Sequence, residues 1–142
     1  MGVLATFAAG LRTALAASPA SLTALPENVS IDDVPDLDKT IFSVEPTADE
    51  EMDNEHGGGT YVMYRGGLMV RIAWQLDEDE EAFSDIKAND LENVAAVVNK
   101  VSNWTSGIVI VNRTAAIESR VGTNYRADLI YSVRYRVAQN LT

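Results

Sequence analysis

From Tyr125 to Val137 the chain reads Y-R-A-D-L-I-Y-S-V-R-Y-R-V, alternating apolar and polar positions almost without a break. Tyr125, Ala127, Leu129, Tyr131, Val133, Tyr135 and Val137 share one face; Arg126, Asp128, Ser132, Arg134 and Arg136 share the other. Only Ile130 departs from the pattern. A side-chain period of two predicts a strand, and one longer than usual. Its polar face carries three arginines, which want an acidic partner.

A different period opens the chain. Leu4, Phe7, Ala8, Leu11, Ala14 and Leu15 recur at helical spacing within Met1 to Ser18, and Ser18-Pro19 ends the run. There is no basic leader and Arg12 interrupts the apolar residues, so the stretch predicts an amphipathic packing helix rather than a signal peptide. Ala20 to Leu37, with Pro26 and Pro35 among acids, reads as an extended connection. Thr40 to Val44 predicts a short strand, closed by Pro46.

Thr47 to Gly59, T-A-D-E-E-M-D-N-E-H-G-G-G, has no apolar periodicity. It buries too little to offset its ordering entropy and is expected to be a mobile acidic loop. Thr60 to Arg65 and Leu68 to Leu76 predict strands, with Gly66-Gly67 between them as a two-residue hairpin signal. Asn89-Asp90-Leu91-Glu92 has the form of a capping box after an acidic lead-in that holds at most a helical turn. Leu91, Val94, Ala95, Val98 and Val101 then make the buried stripe of a second helix, ending near Asn103. Gly107 to Arg113 is nearly continuous in apolar residues and is expected to be a central strand, followed by a connection to Thr123. The order α-β-β-β-α-β-β predicts one α+β domain over residues 1–142: a mostly antiparallel sheet of about five strands with two helices on one face.

Composition narrows the function. The chain has 142 residues, 46% of them hydrophobic, enough for one domain with its own core. It has no cysteine, which excludes disulfides, thiolate metal sites and cysteine nucleophiles. The net charge of −10 is unevenly spread: Glu27 to His56 carries eleven acids and one lysine, whereas Arg113 onward carries five arginines and two acids. No broad basic footprint exists to hold nucleic acid specifically. Three lysines against eight arginines, with abundant acids, is a pattern of proteins from salt-loving hosts; an ordinary acidic surface accounts for it equally well. No segment approaches the length needed to span a bilayer.

Catalytic constellations are missing. His56 is the only histidine and stands beside Gly57-Gly58-Gly59, without positioned partners for a triad or a metal. The glycines precede no Lys-Ser/Thr, so they are not a phosphate loop. Asp77-Glu78-Asp79-Glu80-Glu81 lacks the glycine and alternate spacing of a calcium loop, and acids before a helix are explained by its dipole. No cofactor, metal or catalytic residue is assigned. Trp74 and Trp104 are expected as core or core-edge anchors.

An alanine-rich opening helix, a strand ending at Pro46, a polar loop and the stretch Y-V-M-Y-R-G-G-L-M-V-R-I-A-W follow one another. A helix, G-I-V-I-V-N-R and a closing R-A-D-L-I-Y-S-V-R-Y-R-V complete the layout. Over nearly its whole length this resembles the tail terminator family (minor tail protein U-like) of long-tailed viruses; tail-completion and head-closure neck proteins share parts of it. The resemblance implies a non-enzymatic virion ring, typically a homohexamer. Such a ring caps the tail tube, ends its polymerisation and joins the tail to the neck or head-completion protein, with DNA passing through the lumen unbound. A cellular α+β oligomeric binding module is the alternative outside viruses. For ring formation, Arg126, Arg134 and Arg136 are expected to meet Asp77, Glu78 and Asp79, or the loop, on the neighbouring subunit. Asp49, Glu50, Glu51, Asp53, Glu55 and His56 of the loop are expected to contact a partner ring.

Overall fold

The structure is a computed structural model that describes residues 2–17, 22–26, 29–31, 40–47, 50–56, 61–75, 80–122 and 124–138. Its elements run α1 (Val3–Ala16), β1 (Leu22–Ala24), β2 (Thr40–Pro46), β3 (Glu50–His56), β4 (Tyr61–Gln75), α2 (Glu80–Trp104), β5 (Ile108–Val121) and β6 (Asn124–Ala138). The sheet order is β1-β2-β4-β6-β5, with β3 also paired to β4. Only β1–β2 is parallel; every other pairing is antiparallel. The class is the expected α+β, with a mostly antiparallel sheet and two helices.

Both helices pack on one face. Leu4, Phe7, Ala8, Leu11 and Leu15 of α1 and Val94, Val98 and Val101 of α2 join one core with Leu68, Val70, Ile72 and Trp74 of β4. Ala127, Leu129, Tyr131, Val133 and Tyr135 of β6 complete it, so the alternation that predicts β6 is the alternation that is buried. Each large side chain taken out of water here contributes about 2 kcal/mol. Tyr64 and Tyr135 stack across the β4–β6 pair, with ring centroids 5.5 Å apart. A smaller cluster of Leu25, Ile31, Ile41 and Ala73 covers one end of the sheet's other face.

The strands are divided differently from the sequence expectation. Gly66-Gly67 is not a hairpin: β4 runs unbroken from Tyr61 to Gln75 and pairs with β6 along its full length. The glycines answer another need. The Thr47 amide donates to the Gly67 carbonyl, 2.8 Å away, and a Cβ on Gly67 would collide with the Thr47 hydroxyl. A close backbone approach demands glycine as firmly as a turn does.

The acidic segment expected as a loop forms β3, which continues along the same edge of β4 that β2 occupies. β2 and β3 thus follow one another along the same edge of β4. Backbone pairing to a long neighbour supplies the order that apolar side chains do not. The pairing is irregular, with a register shift between Glu51 and His56.

Two further expectations are corrected. The second helix begins at Glu80, so Asn89 is interior rather than a cap. Gly107 to Arg113 is not central: β5 lies at the sheet edge and extends to Val121, through the stretch expected as a connection. It reaches β6 through Gly122 and Thr123 alone; Gly122, at φ 61°, takes the left-handed conformation such short links require.

Candidate assembly surface

Side chains opposite the helix-packed core form a second, polar sheet face. There Arg71 Nε donates to Asp128 Oδ1 at 3.0 Å across the β4–β6 pair. Its Nη1 lies 3.8 Å from Glu45 Oε2 on β2, so one guanidinium ties three strands. The Arg71 side chain is only 14% exposed, which lifts the pair above the small worth of a solvated surface ion pair. Arg126, Arg134 and Arg136 lie on this same face by alternation along β6.

One transverse row organises the acid and arginine residues that the sequence singles out. Arg134 is directly opposite Arg65, and Arg65 is directly opposite Glu50 of β3. Like charges facing each other across a pair are destabilising. Arg136 places its guanidinium 4.7 Å from the Tyr61 ring centroid, a cation–π contact. Glu50, Glu51, Asp53, Glu55 and His56 all fall on β3. Asp49, Asp77, Glu78 and Asp79 lie outside the described residues.

The apolar part of the surface was not foreseen. Trp104 ends α2 and is 67% exposed, not a core anchor. The helix buries the line Val94, Val98, Val101, and Trp104 stands off it. Lys100 lies over its ring at 4.9 Å, and shallow grooves of about 460 and 520 Å³ run along its two sides. Those grooves are lined by Ala14, Ala17, Ala96 and Val97, and by Val3, Thr6 and Gly10. Val109, Ile110 and Ile117 stand out on edge strand β5, the first of them 53% exposed.

Trp74 is the opposite case. It is 2% exposed, and its indole N–H donates to a buried Asp90 carboxylate at 2.7 Å. Phe83 packs edge-on to it and to Tyr125, and Tyr125 lies tilted against the indole. Lys87 covers Tyr125 and reaches Glu118 at 3.2 Å, pinning α2 to β5. Burial acts to lower the Lys87 pKa, but the hydrogen bond and charge of Glu118, with Tyr125, carry it above the ordinary lysine value. Burial raises the Tyr131 hydroxyl pKa, against a smaller opposing effect of Arg113.

Among the described residues no group of His, Asp and Glu is placed to hold a metal, and no helix is long and apolar enough to cross a membrane. The two grooves beside Trp104 are lined largely by apolar residues, and a third is lined in part by Arg12, Ser43 and Glu45.

No protein family and no curated protein matches the chain. Among solved structures, a chain of the "Virion of native gene transfer agent (GTA) particle" superposes on it with a TM-score of 0.57. The superposition covers 94% of this chain and 98% of that chain, at 16% identity. The two share a fold. At that identity the likeness is one of architecture, and it extends over nearly the full length of both.

Proposed function

We propose that this chain is a structural protein of a tailed virion or virion-like particle. Within the particle it forms the terminator ring, a homohexamer that caps the tail tube and joins the tail to the neck, with DNA passing through without being held. The observation that carries this reading is the near end-to-end fold likeness to a chain of a virion particle. The sequence layout, read independently, resembles the terminator family. The surface supports an assembly role: a bare tryptophan and exposed aliphatics on a sheet edge belong to a protein that buries surface against others.

In this reading the partners are other copies of the chain, the tail tube protein and a neck or head-completion protein. The mass of the purified protein in solution, measured by sedimentation at low and high salt, tests it. A closed oligomer of fixed mass, six copies in the terminator reading, is the expected result. A monomer at every salt and protein concentration would overturn the ring. A tail-completion or head-closure protein is separated from a terminator by its target: only the terminator stops growth of tube protein when added to it.

A further inference from the structure

The sheet has two edges that differ in a way that makes them complementary. On one side β5 ends the strand order, with Val109 and Ile110 exposed; it carries Arg113, Glu118 and Arg120, and its pairing with β6 shifts register between Ile108 and Ile110 and between Arg113 and Ala115. A row of unpaired backbone groups at a sheet edge is a template for another strand. On the other side β3 has β4 as its only strand neighbour among the described residues. Its sequence, E-E-M-D-N-E-H, carries four acids.

Direction and level also agree. β3 is antiparallel to β4, β4 to β6, and β6 to β5. A second copy placed with its β3 beside β5 therefore continues the sheet by the same antiparallel alternation. The row Glu50, Arg65, Arg134, Ile110 crosses the sheet from one edge to the other, so the β3 of the next copy arrives level with Ile108 to Arg113. Arg113, exposed on β5, stands there against the acids of the incoming strand.

We infer that copies of this chain join edge to edge, β5 of one receiving β3 of the next, so that one antiparallel sheet runs through successive subunits. The occupant of the β5 edge is thus a second copy. The interface is heterologous, the kind that closes into rings. The inference rests on the ring reading above and adds to it which surfaces meet. Backbone hydrogen bonds supply the contact, the exposed aliphatics are covered, and the charge contrast sets the partner edge.

The test compares sedimentation of the wild-type chain with V109K/I110K, which places charges on the exposed edge, and with R113E, which opposes the acids of β3. I86K, a substitution at an exposed position of α2 rather than on either edge strand, is the control. The expected result is an oligomer for wild type and I86K. Both edge variants should need at least about tenfold higher protein concentration to assemble, with unchanged circular dichroism. If the double variant unfolds, R113E alone carries the test. An oligomeric wild type with edge variants that assemble equally well would overturn the edge pairing and leave the ring standing. A wild type that never assembles would remove the ring reading itself, and this inference with it.

Discussion

The two tryptophans mark two regions built on opposite terms. Around Trp74 every group has its partner inside the chain: the indole N–H has Asp90, the ring has Phe83 and Tyr125, and Lys87 closes the cluster over Tyr125 to Glu118. Around Trp104, at the far end of the same helix, the ring has a lysine over it and shallow grooves beside it, and is 67% exposed. The first region holds α2 to the sheet. The second makes few contacts that hold the fold. One 25-residue helix thus supplies Asp90 to a buried tryptophan of β4 and leaves its own tryptophan exposed.

Replacing the two residues is the sharpest way to break the comparison. Trp74→Ala should cost about 3–5 kcal/mol of stability, the range for emptying a large aromatic site in a core. Trp104→Ala should stay within about 0.5 kcal/mol, as exposed substitutions do. Chemical denaturation of both variants measures the contrast; equal losses would erase it. Next in size is Asp90→Ala, which strands the buried indole N–H and should cost about 1–3 kcal/mol. The same denaturation curve tests it, and an unchanged midpoint would mean the hydrogen bond is dispensable. Gly67→Ala forces its methyl onto the Thr47 side chain and should cost about 1–3 kcal/mol. Pairing it with Thr47→Gly should recover most of that loss, since the collision is with the side chain. No recovery would place the cost in the backbone instead.

The smallest effect is on pH dependence. The folded-state pKa values of Lys87 and Tyr131 both lie above their ordinary values. Each group therefore holds its proton more firmly folded than unfolded. Their contribution is complete below about pH 10 and is lost as pH rises through the folded values. The thermal midpoint should fall over that alkaline range, and Tyr131→Phe should make the fall shallower. An identical alkaline profile in the variant would remove Tyr131 from the account.

What could be read from the sequence followed from how each element is buried. In β6, with strands on both sides and helices on one face, burial imposes the period of two that its residues display. In α1 the stripe Leu4, Phe7, Ala8, Leu11, Leu15 is likewise the buried face. Gly66-Gly67 misled because a turn and a close approach select the same residue, and only the fold brings Thr47 over Gly67. The run from Gly107 to Arg113 implied a central strand, yet β5 lies at the sheet edge with Val109 and Ile110 exposed, because an apolar run alone does not tell an edge strand from a central one. β3 has no apolar period to read: its order comes from backbone pairing with β4. For the surface, the arginines of β6 were legible from alternation, whereas their row with Arg65 and Glu50 depends on strand register.

The central claim is that this molecule keeps its core contacts at the Trp74 end and leaves the β5 and β3 edges for neighbouring copies. Amide hydrogen exchange on the assembled protein, compared with the same protein diluted to monomer, tests this most directly. New protection should appear in Val109 to Arg113 and in Glu50 to His56, with the amides around Trp74, Phe83 and Asp90 unchanged. Assembly that left both edges exchanging at the monomer rate, and protected another surface instead, would contradict the account.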